Sequence, residues 1–258
     1  MSKLGLVFAI SAVAAIAPLG AQSDNHNGQV PVLLELFTSE GCSDCPPADR
    51  LLEALDRTQS VAGAEVIVLS EHVDYWNRLG WKDPYSSPQF SARQSAYASQ
   101  FHLDSVYTPQ LVVDGRLQFV GSDGREAKAA IEKERREQKL AIAISHVGRT
   151  SDQVTAHIEI PATQNRPGGR ARVLYVALAD NKVESQVARG ENAGRALAHV
   201  AVVRYLAQVG TIRADNQVDK QVTLSIQPGA GMNGLRIVAF LQDPGSGHIL
   251  GAALHKLQ

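Results

Sequence analysis

The sequence predicts an α/β unit followed by an all-β, sandwich-like unit, and three observations carry that expectation. Two nearly continuous apolar runs, VPVLLELFT (30–38) and the opening of AEVIVLSEHV (64–73), flank a helical pattern, as buried neighbours in a parallel sheet do. From about residue 140 the period changes to alternation, most plainly in VTAHIEI (154–160) and QVTLSIQ (221–227). A cysteine pair, Cys42 and Cys45, stands where the first run gives way to the helix. A chain of 258 residues suits one large domain or two ordinary ones. The change of period places the boundary between 30–139 and 140–258.

Taken in order, Lys3 precedes an apolar run from Leu4 to Ala17 that breaks at Pro18 and ends in Gly20 and Ala21. That pattern predicts a secretory signal peptide over 1–21, followed by a polar tether over 22–29. The run is shorter than the roughly 20 residues a permanent helix needs to cross a bilayer, so no permanent membrane span is expected. The protein is expected in the periplasm or outside the cell, where a close cysteine pair can persist as a disulfide. In GCSDCPPADRLLEALDRT, Pro46 suits a first helical turn, and Leu51, Leu52 and Leu55 share one face. Strand, helix, strand implies a right-handed crossover and a parallel pair. Ser87 and Pro88 open a second helix to about Phe101; QLVVDGRLQFVG gives two strands around the turn at Asp114-Gly115; SDGREAKAAIEKERREQK closes the unit as an exposed helix. Beyond it, RVLYVALAD, LRIVAFLQ and HILGAALHKL add strands, and TQNRPGGR (163–170) reads as a hairpin loop. About seven or eight strands without a convincing helix predict the sandwich.

With 25 Lys and Arg against 26 Asp and Glu, the chain has no excess charge for a nucleic-acid partner. GAGMNG (229–234) fits a dinucleotide-binding glycine pattern but precedes a strand where that site needs a helix, so no cofactor is expected. The cysteines carry the chemistry. Unpaired N–H groups and the partial positive charge at a helix N-terminus stabilise a thiolate, making Cys42 a nucleophile, with Cys45 in reach to resolve a mixed disulfide. A zinc half-site is the structural alternative, but four ligands are required and no second pair follows, so no metal is assigned.

These residues resemble the thioredoxin-like superfamily over about 31–139, through Cys42-Ser43-Asp44-Cys45 after the first strand and Thr108-Pro109 before QLVVDG. The resemblance implies that the Thr108-Pro109 bond is cis and faces the cysteines. Gly41 stands where thioredoxins carry an aromatic residue, and Asp44 should oppose thiolate formation. Pro46 disfavours a helical conformation at Cys45. The whole chain is also similar to a family of exported bacterial proteins of unknown function, with FTSEGCSDCPPADRLL-type sequence before a β-rich half containing a GENAGR-type segment.

The expected function is therefore an exported thiol-disulfide oxidoreductase or redox-responsive protein acting on a protein or small-molecule thiol or disulfide. Cys42 is expected to be exposed and to attack, with Cys45 shielded. Thr108, Pro109, His72 and Trp76 are candidate substrate-binding residues, and Glu35, seven residues before Cys42, is a candidate proton relay. No catalytic residue is expected in 140–258. Gly190, Asn192, Gly194, Arg195 and His199 form a polar, glycine-rich loop that either contacts the first unit or merely joins strands. The alternatives are a non-enzymatic binding protein, or a metal carrier using Cys42, Cys45 and a histidine.

Overall fold

The computed structural model describes residues 28–162, 171–213 and 217–257. The expected signal peptide, most of the tether and the TQNRPGGR loop lie outside the described residues. Strands β1 (Val30–Thr38) and β2 (Ala64–His72) pair in parallel, from Val30 opposite Ala64 to Thr38 opposite His72. Helix α1 (Pro46–Thr58) makes the crossover, with Leu52 and Leu55 against the sheet and Pro46 at its start. Helix α2 (Pro88–Gln100) is capped by Ser87, whose side chain accepts from the Gln89 amide. Strands β3 (Gln110–Val113) and β4 (Leu117–Val120) form the hairpin around Asp114-Gly115, and β3 runs antiparallel to β1. Helix α3 (Gly124–Glu134) follows, capped by Asp123.

The remaining strands are β5 (Ala143–Arg149), β6 (Gln153–Ile160), β7 (Arg172–Gln186), β8 (Ala196–Ile212), β9 (Val218–Ser225), β10 (Leu235–Gln242) and β11 (Ile249–Leu257). They overturn the expected fold class. There is no α/β thioredoxin-like domain followed by a separate sandwich: the described chain is mostly β, and strands from both halves build one mixed sheet of eight strands. Its order is β11-β10-β7-β8-β2-β1-β3-β4, and β5, β6 and β9 form a second, three-stranded sheet. The physical reason lies in β7 and β8, of 15 and 17 residues. At roughly 3.3 Å per residue, each spans about 50 Å. Sequence reading ended the first of them near Asp180, where polar residues begin, and left Ala196–His199 in a loop. Within β8 Ala201 is left-handed, with φ 53°, and the next residue, Val202, pairs in parallel with Ser70 of β2. That pairing joins the strands of the two halves into one sheet.

The core follows from the faces of the large sheet. One face carries α1 and α3 over Leu34, Leu36, Val66 and Val68. Further along, β6 and β9 press Ile158 and Leu224 onto Leu174, Leu178 and Ile237 of β7 and β10. The opposite face carries α2, with Phe90 and Tyr97 over Leu33, Phe37 and Leu69. Each such aliphatic side chain contributes roughly 1.5–3 kcal/mol on burial. No helix among the described residues is long and apolar enough to cross a membrane.

The β3–β4 turn is locked to the loop before β11. Gly115 has φ 61°, and a Cβ there would stand 2.1 Å from the Gly247 carbonyl oxygen. The Ile249 amide also donates to Asp114 O at 2.9 Å. Gly115→Ala is therefore expected to destabilise by about 2 kcal/mol or more, combining left-handed strain with the backbone clash. The midpoint of urea unfolding checks this; an unchanged midpoint refutes the interlock.

Candidate functional site

Cys42 and Cys45 form a disulfide across one turn at the start of α1, with 5.4 Å between Cα atoms. The Cys45 amide donates to Cys42 O at 3.3 Å, and the amides of Ala48 and Asp49 donate to Cys45 O at 2.9 and 3.1 Å. Cys45 is itself right-handed helical, contrary to the effect expected of Pro46, so the cysteine turn runs directly into the helix. Cys42 is 1% exposed and Cys45 0%, which corrects the expectation that Cys42 is open to solvent. Exposure therefore does not rank the two sulfurs.

The cover comes from the far half of the chain. The segment 187–195 is the tip of the β7–β8 hairpin, and its Asn192 side chain is buried over the cysteine loop. The Asn192 amide donates to Glu40 O at 2.9 Å and to Cys42 O at 2.8 Å. Glu191 accepts from the Ser43 amide at 3.0 Å. Of the two readings left open for the Gly190–His199 stretch, the structure takes the one that touches the cysteine loop. It also moves His199 out of that loop and into β8.

Beneath the cysteine turn lies a buried cluster of charge. His199 stands 3.6 Å from Glu40 Oε1 and 3.5 Å from Asp49 Oδ2, too long for good hydrogen bonds but close enough for charge pairing. Asp49 is one helical turn beyond Cys45, and its other oxygen accepts from Thr38 Oγ1 at 2.9 Å. Burial opposes a charge on His199, but the carboxylates of Asp49 and Glu40 outweigh it and lift its pKa to about 10. Glu40 also accepts from Ser185 Oγ and, at 2.7 Å, from Trp81 Nε1. The His72 ring packs edge-on at 4.7 Å from that of His199 and binds Asp83 at 2.7 Å. Burial raises the Asp83 pKa, but His72 and the amides of Glu40 and Tyr85 bring it down to about 2.

The candidate residues divide accordingly. His72 is wholly buried in the ionic cluster and lines no open groove. Trp76 and Thr108 do come together, with Trp76 Nε1 donating to Thr108 Oγ1 at 2.7 Å, and the Thr108-Pro109 bond is cis. A Cβ at Gly41 would stand 3.1 Å from Trp76 Cβ, so Trp76 fills the space that a side chain before Cys42 would occupy. Glu35 points to the opposite face, toward α2. There it binds Arg93 Nε at 2.5 Å and accepts from the Tyr97 hydroxyl at 2.5 Å. The buried acids on the cysteine side include Glu40, Asp49 and Asp83, which sequence reading missed. The spacing from Cys45 to Asp49, four residues on a helix, was the available signal.

Known proteins resemble this architecture without naming its chemistry. An X-ray structure of a protein from Agrobacterium tumefaciens matches 88% of this chain and 94% of its own at 27% identity, with a TM-score of 0.64. HBP35 of Porphyromonas gingivalis matches 89% of this chain and 76% of its own at 16% identity and a TM-score of 0.65, a likeness of fold alone. No curated protein matches the sequence. A family model spanning residues 33–242 takes in both the cysteine turn and the strands that cover it, and by that match the chain belongs to DUF1223, a family of proteins of unknown function.

Proposed function

We propose that the protein is a thiol-disulfide oxidoreductase, or a redox-responsive protein, that cycles Cys42 and Cys45 between disulfide and dithiol. The observation that carries this reading is the disulfide itself, closed over a single turn at the start of a helix. Both cysteines lie on that one turn, so breaking the bond unties no two distant segments from each other. The helix N-terminus favours a thiolate there once the bond opens. Trp76, which packs at Gly41 and binds Thr108, supports a place for a substrate chain. The apolar leader pattern over 1–21 supports action after export, in the periplasm or outside the cell, where dithiols and disulfides both occur.

In the proposed step a substrate thiolate attacks one cysteine sulfur, and the bond between Cys42 and Cys45 breaks. The released sulfur leaves as a thiolate and takes a proton. A second substrate thiol then displaces the remaining cysteine, so the substrate leaves oxidised by two electrons and the pair is reduced.

Burial of both sulfurs favours a second reading, a structural disulfide in a binding protein. The reduction potential separates the two. The expected value lies between roughly −270 and −120 mV, the range of working oxidoreductases; a value below roughly −300 mV marks a structural bond and overturns the redox reading.

A further inference from the structure

A segment about 150 residues away in sequence rests on the cysteine loop; Val187 is buried at its start, and beyond it one side chain, Asn192, makes the buried polar contact. From 188 to 196 every described residue is exposed except Asn192, which is 1% exposed. The Asn192 amide spends both its donors on carbonyls of the cysteine loop, Glu40 O and Cys42 O. Its own oxygen accepts from Arg195 at 2.8 Å, which fixes the amide's orientation. Glu191 adds the bond to the Ser43 amide. The backbone turns at Gly190 and Gly194, with φ of 77° and 80°, and nothing lies within 4 Å of a Cβ placed at Gly194. Two glycine turns therefore flank the buried Asn192 contact, the first packed against Trp81 and the second open.

We propose that segment 187–195 is a cap that controls access of thiols to Cys42–Cys45, and that Asn192 is the positioning residue that holds it shut. Thiol-disulfide exchange needs the incoming sulfur to approach along the line of the bond it breaks. With both cysteines buried, that approach opens only when the cap moves. The polar atoms that Asn192 and Glu191 occupy, the Cys42 carbonyl and the Ser43 amide, are those an extended substrate backbone would pair with beside the sulfurs. The cap thus stands in the substrate's place, and a partner that supplies those bonds itself displaces it. This proposal rests on the redox reading above, but the two are measured separately: the equilibrium potential decides that reading, and the rate of reduction decides the cap.

The test uses the full chain and dithiothreitol. Its thiolate opens the disulfide, and its second thiol closes its own ring, releasing Cys42 and Cys45 as thiols. Asn192→Ala is expected to raise the second-order rate of reduction at least tenfold, and Glu191→Ala at least twofold. Asp123→Ala, which removes the α3 cap far from the segment, serves as the control for lost stability, and its rate is expected to stay within twofold of the parent. The cap is overturned if Asn192→Ala reduces within twofold of the parent rate, or if Asp123→Ala accelerates reduction as much as Asn192→Ala does. Should Asn192→Ala not fold, Glu191→Ala decides alone: an unchanged rate overturns the cap.

Discussion

Arg93→Met is expected to cost about 3–5 kcal/mol of stability at pH 7, the largest loss from any single side chain away from the cysteines. Arg93 holds Glu35 at 2.5 Å, stands 3.6 Å from Glu71 Oε1, and is stacked among the rings of Tyr97, Tyr175 and Phe240 at 5.1–5.3 Å. Glu71 is fully buried with neither oxygen hydrogen-bonded. Burial, and then the charge of Glu35, hold its pKa well above the usual carboxylate range against the pull of Arg93. Removing the guanidinium leaves Glu71 buried beside Glu35 with no cation to offset it, so Glu71 favours the protonated form more strongly. A folded-state pKa raised in this way favours the fold most below the unfolded value, and the benefit is lost as pH rises. The deficit of Arg93→Met should therefore shrink from pH 7 toward pH 4. Urea unfolding at both values checks this; a deficit below about 1 kcal/mol at pH 7, or one independent of pH, would refute it.

The second large effect belongs to His199. Its pKa is lifted from 6.5 to about 10, so its contribution to stability is fully present below about pH 6.5 and is lost as pH rises through about 10. The slope approaches roughly 1.4 kcal/mol per pH unit while one proton distinguishes the states. The groups that face His199 are Glu40 from the cysteine loop, Asp49 from α1, His72 from β2 and the Tyr85 ring at 6.3 Å. His199→Gln strands Glu40 and Asp49, and is expected to lose about 3 kcal/mol or more at pH 6.5 while removing most of the decline between pH 7 and 10. Parent and variant unfolded in urea at pH 6.5, 8 and 9.5 decide the matter: parallel curves sink the assignment. At the acid end the sign reverses. Asp83, held at about 2 against 3.8, contributes stability above 3.8 that is lost as pH falls toward 2.

What was legible in the sequence was local. The apolar runs of β1 and β2 are buried on both faces, and such strands carry no alternation that other elements could imitate. Ser87-Pro88 and Asp114-Gly115 gave a helix start and a turn because each states its own backbone geometry. The shared sheet was not legible, because alternation tells a strand which face it buries and nothing about its neighbour. The Ser70–Val202 pairing crosses more than half of the described chain and leaves no trace in either segment. The same limit separates the site residues. Cys42 and Cys45 declare themselves by spacing, whereas His199 lies behind a glycine-rich stretch that ended the strand signal, and only the β7–β8 pairing from Lys182–Val200 to Gln186–Ala196 carries it to the cysteines. Glu35 shows the converse: its position before Cys42 suggested a relay, but strand alternation turned it to the Arg93 side.

The separation between the cysteines and their cover also sets an order of events during synthesis. Asn192 follows Cys42 by 150 residues. At about 5–20 residues per second, the ribosome takes roughly 8–30 s to bring it out. Through that interval the cysteine turn has neither Asn192 above it nor the His199 cation below. A chain still being made thus holds its cysteine turn in an open form, and the strands that enclose it arrive afterwards.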